Sequence, residues 1–137
     1  MENIPFIEVN DLVGVSIERE RVSEAVQLVL KEEGISEGEA SVVLLPPERM
    51  RELNKEHLGR DYVTDVLSFP YAEKGIIGEI IMCPEKIEEN AKGDFTKEFF
   101  RVIIHGALHL LDYDHAQPEE EKEMTRRTEH YLRSLDW

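Results

Sequence analysis

Phe95-Thr96-Lys97-Glu98-Phe99-Phe100-Arg101-Val102-Ile103-Ile104-His105-Gly106-Ala107-Leu108-His109-Leu110-Leu111 is the stretch whose reading decides the fold. Phe95, Phe99, Phe100, Val102, Ile103, Ile104, Ala107, Leu108, Leu110 and Leu111 make it apolar nearly all round at helical spacing. A helix of that kind is central and buried rather than laid on a surface. Asp94 stands where its carboxylate can accept the first free amides. The two histidines are four residues apart, so their imidazoles lie on one face a single turn apart. His115 follows six residues after His109, beyond Asp112 and Asp114, where the chain is expected to turn back. Two imidazoles from one turn and a third from the bend can grip one metal ion. Zinc accepts imidazole nitrogen at about 2.0–2.1 Å, and three protein ligands leave a fourth position open. The stretch therefore predicts an open, catalytic kind of Zn²⁺ site at His105, His109 and His115. Imidazole also suits nickel, copper and iron.

The spacing resembles the His-Glu-x-x-His helix of zinc proteases, where Glu is the general base. Here the residue after the first histidine is Gly106. A protease of that mechanism would lack its base.

Working outward, Pro5 to Val9 alternates weakly and reads as a first strand. Arg19 to Glu33 places Val22, Ala25, Val26, Val29 and Leu30 at helical spacing, with Gly34 as a stop. Ser41 to Leu45 is a continuous aliphatic run ended by Pro46-Pro47, as a buried central strand would be. Glu48 to Leu58 reads as a helix with Met50, Leu53 and Leu58 inward and Gly59 as its stop; Pro47 suits its first turn. Val63 to Tyr71 and Ile76 to Met82 form an expected antiparallel hairpin, with Pro70 trimming one strand. Pro84 to Ala91 is a short acidic helix. Pro118 opens the last helix, where Met124, Thr128, Tyr131 and Leu135 form the inward stripe. Glu119-Glu120-Glu121 early and Arg126, Arg127 and Arg133 late complement the helix dipole. These elements make a single domain over residues 1–137, with a central buried helix carrying the metal ligands.

Composition narrows the function. A chain of 137 residues, 41% apolar and 34% charged, is long enough to bury roughly two-thirds of its unfolded surface. The lone Cys83 rules out an internal disulfide and a cysteine zinc cage, and fits a reducing cytosol. No signal-like segment opens the chain, and the apolar run from Val102 to Leu111 is too short to span a bilayer. A cytoplasmic protein without a membrane partner is expected. Net charge is −14, from 16 basic and 30 acidic residues, which argues against holding nucleic acid by a broad basic surface. It leaves room for an enzyme acting on a phosphodiester at one local site, where a metal adds positive charge.

The block from His105 to His115 resembles the signature of the bacterial YbeY family of single-strand-specific, metal-dependent endoribonucleases, His-Gly-x-Leu-His-Leu-x-Gly-Tyr-Asp-His. Asp112 stands where the family usually has Gly. Asn54, Gly59, Asp61 and the run Thr64-Asp65-Val66-Leu67-Ser68-Phe69-Pro70 resemble the family's segment between its second helix and its hairpin. Gly78-Glu79-Ile80 resembles its Gly-Asp-Ile, and Met124 with Glu129 suits its last helix. The resemblance implies an α+β fold, a mixed sheet of about four strands covered by helices, with zinc at His105, His109 and His115, and a role in maturing the 3′ end of small-subunit ribosomal RNA and in ribosome quality control. It implies single-stranded RNA and ribosomal proteins as partners. The family usually carries Tyr-Arg before the glycine matching Gly59; here those positions hold His57 and Leu58. The arginine that would face the substrate is missing from its place.

Several side chains admit two roles. Arg60 either reaches the same cleft in that arginine's stead or is a solvated surface residue. Asp112 and Asp114 either fix the tautomers of the ligand histidines from behind, or cap the helix end or lie in solvent. Asp65 is either a base or, with Ser68, a maker of turn hydrogen bonds. Phe69 either stacks a base of single-stranded RNA or packs in the core. His57 and His130 read as surface residues. Attack by water and attack by the substrate's 2′-hydroxyl are both open. So are two other functions: a metal hydrolase of a different substrate, and a non-catalytic ribosome-assembly partner with a structural metal.

Overall fold

The computed structural model describes residues 3–71, 73–111 and 117–137. Its order is β1 (Phe6–Asp11), α1 (Arg19–Glu32), β2 (Glu39–Leu44), α2 (Pro47–Leu58), β3 (Val66–Pro70), β4 (Ile76–Met82), α3 (Pro84–Asn90), α4 (Phe95–Leu110) and α5 (Pro118–Ser134). The strands form one mixed sheet in the order β1-β2-β4-β3. β1, β2 and β4 run parallel, and β3 pairs antiparallel with β4 as the far edge. The fold is of the α+β class that the resemblance implies.

Side chains alternate across a strand, so one sheet feeds two cores. Ile7, Ala40, Val42, Leu44, Ile80 and Met82 meet Val22, Val26 and Leu30 of α1, Phe99, Ile103 and Leu108 of α4, and Met124 and Leu132 of α5. On the opposite face Leu67, Ile81 and Cys83 meet Leu45 and Met50, with Leu53 and Phe69 at the margin under α2. Burial raises the Cys83 thiol pKa. At the rear of α1 the nearly buried Glu33 carboxylate receives Arg127 Nη1 at 2.6 Å and the Tyr131 hydroxyl, which ties α1 to α5.

α4 is the element the others surround. Asp94 caps it, accepting the Lys97 amide at 3.1 Å. From Phe99 to Leu110 only Arg101, His105 and His109 escape full burial. Two glycines let α4 lie close on the hairpin. A Cβ on Gly106 would stand 2.9 Å from Ile80 Cγ2 and 3.2 Å from Val66 Cγ2. One on Gly78 would stand 2.5 Å from the Phe69 carbonyl oxygen and 2.7 Å from Leu110 Cδ2.

β2 spans Glu39–Leu44 rather than Ser41–Leu45, and three further details differ from expectation. Leu58 is 46% exposed rather than inward, because Gly59 in the left-handed region (φ 68°) ends the helix there. β3 starts at Val66, not Val63, since the pairing of the two strands begins only at Met82. β1 continues beyond Val9 to Asp11, whose carboxylate accepts the amides of Val13, Gly14 and Val15 and turns the chain.

Candidate active site

The half-buried faces of His105 and His109 open on a cleft of about 430 Å³ walled also by Leu58, Arg60, Asp65 and the β3 residues from Val66 to Phe69. The imidazole centroids are 4.7 Å apart with planes at 72°, as two residues one turn apart on a helix must be close. Arg60 and Asp65, the two further site residues proposed from sequence, therefore share this cleft with the histidines. His115, Asp112 and Asp114 lie outside the described residues. Among the described residues no three His, Cys, Asp or Glu side chains gather where they could hold one ion. The pair His105–His109 suits two positions of an imidazole site, and a third donor has to come from elsewhere.

Each wall has its own support. On the β3 side the Ser68 hydroxyl donates to the Gly106 carbonyl at 2.9 Å, a bond between residues 38 positions apart. It fixes how α4 sits over the strand, directly beside His105. Ser68 thus bonds across to the helix rather than within a turn, which corrects the turn reading. Nothing local in the sequence signals it; only the alternation that puts Val66 and Ser68 on the α4 side could have suggested it. Gly106 likewise gains a positive reason: the helix carrying the imidazoles touches the sheet at that residue.

The second wall is a loop. Fully buried Asn54 donates from Nδ2 to the Tyr62 carbonyl at 2.9 Å, and its backbone carbonyl accepts the Arg60 amide at 3.3 Å. Arg51 Nε binds Asp61 at 2.7 Å, and this hydrogen bond is the main cause that holds the Asp61 carboxyl below its usual pKa of 3.8. Asp65 closes the loop: its carbonyl accepts the Cys83 amide at 2.9 Å while its carboxylate receives the Thr64 hydroxyl at 3.5 Å. Phe69 is half-buried between the two readings offered for it. Its ring packs on the smaller core and against exposed His57, with centroids 5.3 Å apart. His130 is exposed on α5, as expected.

Fold and cleft together define a class: α+β proteins with a pair of imidazoles one turn apart on a buried helix, facing an arginine and a carboxylate across a cleft. The family model described as Endoribonuclease YbeY matches residues 10–136, and the chain belongs to the YbeY family. A Chlorobium luteolum Endoribonuclease YbeY is 42% identical over 115 residues, 81% of this chain and 84% of that protein. A Thermotoga maritima Endoribonuclease YbeY is 38% identical over 120 residues, 85% of this chain and 79% of that protein. A solution structure from Thermotoga maritima superposes with a TM-score of 0.69 at 36% identity, covering 93% of this chain and 87% of that one.

Proposed function

We propose that this chain is a metal-dependent endoribonuclease that hydrolyses phosphodiester bonds in single-stranded RNA. The observation that carries the proposal is the convergence of His105, His109, Arg60 and Asp65 on one cleft, in a chain whose relatives are named endoribonucleases. His105, His109 and His115 are the side chains that would hold the metal, a zinc ion by the preference of imidazole. When bound, such an ion polarises a phosphoryl oxygen and lowers the pKa of water to about 7.

The protein's own groups do the rest. Arg60, at the cleft wall, meets a phosphate oxygen and neutralises charge that grows there during attack. The Asp65 carboxylate accepts the proton of the attacking water or 2′-hydroxyl. Phe69, in the cleft wall, stacks an unstacked base. Ser68 and Gly106 hold α4 at a fixed height, so the imidazoles and the loop residues keep one separation. Asp112 and Asp114 orient the far N–H groups of the ligand histidines. The physiological setting, by family likeness, is cytoplasmic maturation of the 3′ end of small-subunit ribosomal RNA and ribosome quality control, with ribosomal proteins as partners.

Incubation with labelled single-stranded and duplex RNA tests this. Cleavage of the single strand, abolished by chelator and lowered at least about 100-fold by His109→Ala, is expected. Undiminished cleavage under both treatments would overturn the metal mechanism, and no cleavage of any RNA would overturn the function. The end groups of the products identify the nucleophile: a 2′,3′-cyclic phosphate marks the substrate's own hydroxyl.

A further inference from the structure

The outward stripe of α4 extends beyond the two histidines. Lys97, Arg101, His105 and His109 recur at intervals of four, and all are half-buried. Four residues overshoot a 3.6-residue turn by about 40°, so the stripe winds slowly along about 18 Å of helix. The cavities follow it. The histidine cleft adjoins one of about 180 Å³, with Asp65, Val66 and His105 as shared wall and Arg101 and Glu98 beyond. That one adjoins a third, of about 300 Å³, through Glu98 and Arg101, and there Lys92 and Lys97 stand.

The groove carries cations toward both of its ends. Several cations elsewhere are held by a neighbouring carboxylate: Arg49 by Glu52, Arg51 and Lys55 by Asp61, Lys86 by Glu89 and Arg126 by Glu123. Within the groove Arg101 is held in the same way, and Asp94 and Glu98 have donors of their own. Asp94 accepts the Lys97 amide, and Glu98 and Glu129 receive Arg101. Lys92, Lys97 and, at the other end, Arg60 make no ion pair among the described residues. A trench with cations outside any ion pair toward both ends, Lys92 and Lys97 at one and Arg60 at the other, suits an extended polyanion rather than a compact one.

We propose that Lys92 and Lys97, reached past Arg101, bind backbone phosphates of nucleotides flanking the bond cut at His105 and His109. The site thus grips a strand along α4 rather than a single phosphodiester. This rests on the endoribonuclease reading. Each phosphate contact on a single strand contributes about 0.7 to the slope of log affinity against log salt. Losing both lysines removes about 1.4 from that slope, on the order of tenfold in affinity at 0.1 M salt.

The test is fluorescence anisotropy at several salt concentrations, with single-stranded RNA of about twelve and about four nucleotides, lengths that bracket a short binding track. Wild type is compared with Lys92→Gln/Lys97→Gln and with the off-groove pair Lys74→Gln/Lys122→Gln, and thermal melting verifies folding. A shallower salt slope and a greater loss on the longer strand, confined to the groove pair, are expected. Equal losses in both pairs, or equal losses on both lengths, would overturn the flanking subsite while leaving the function standing. No RNA binding by wild type would overturn both.

Discussion

The cleft has two walls built on different principles. The wall of α4 and β3 is set by packing: Gly78 and Gly106 let backbone and side chains touch, and Ser68 bolts strand to helix. The wall of residues 59–65 is a loop, exposed through Tyr62, held by single hydrogen bonds, chiefly Asn54 to the Tyr62 carbonyl and Arg51 to Asp61. The packed wall carries imidazoles whose separation is dictated by a helical turn. The loop carries Arg60 and Asp65, whose positions depend on a few bonds. Damage to the first wall should appear as lost stability, and damage to the second as lost activity in a protein that still folds.

The strongest way to break that contrast is Gly78→Ala. The added methyl would meet the Phe69 carbonyl oxygen at 2.5 Å and Leu110 Cδ2 at 2.7 Å. A carbonyl oxygen in a strand cannot rotate aside, so β3 or α4 must move. Overpacking of this kind costs about 3 kcal/mol, at the upper end of its usual range. Urea unfolding should report that loss, with cleavage falling in parallel with the folded fraction. A midpoint unchanged from wild type would show that the packed wall is more yielding than its geometry suggests.

Asn54→Ala sharpens the comparison from the loop side. It removes the donor to the Tyr62 carbonyl, but also a buried Oδ1 that has no partner among the described residues. A typical hydrogen bond is worth about 1 kcal/mol net, and loss of the unsatisfied oxygen offsets part of it. The expected stability change is therefore at most about 1 kcal/mol. Activity should fall further, about tenfold or more at a temperature where the variant is fully folded, since small misplacements of positioning groups cost that much. Single-turnover cleavage beside a thermal melt separates the two effects. A proportional fall in both would place the loop with the packed wall.

Much of this architecture was legible because period alone encodes it. Ile76 to Met82 is bounded in the sequence as it is in the structure, and the all-round apolarity of α4 announced its central place. Leu58 misled, since helical spacing cannot show that the last residue before a left-handed glycine has run out of core to face. Arg60 and Asp65 share the cleft with the histidines because the loop folds back under the Asn54 bond, which residue type alone could not fix. Ser68 was unreadable for a different reason: its partner Gly106 is 38 residues away, and such pairs are set by how a helix settles on a sheet. The stripe Lys97–Arg101–His105–His109 was written in plain spacing, and attention to the histidines hid its first half.

The smallest expected effect tests the outermost tie of the loop wall. Arg51 is the main cause that keeps the Asp61 carboxyl below its ordinary value of 3.8, with Lys55 at 3.9 Å adding a weaker attraction. A carboxyl depressed in the folded state stabilises above its unfolded value and loses that contribution as pH falls through the lowered one. The pair is solvent-exposed, and such pairs are screened by salt. Asp61→Asn should therefore leave the melting temperature near neutral pH almost unchanged. A carboxyl titration followed by NMR should show Asp61 depressed in wild type and relaxed toward 3.8 in Arg51→Gln. Since Asp61 adjoins Arg60, cleavage by Asp61→Asn should fall modestly while the fold holds, as a loop positioned by separable bonds requires. A melting temperature that drops as steeply as in Gly78→Ala would mean that the loop is part of the packed body after all.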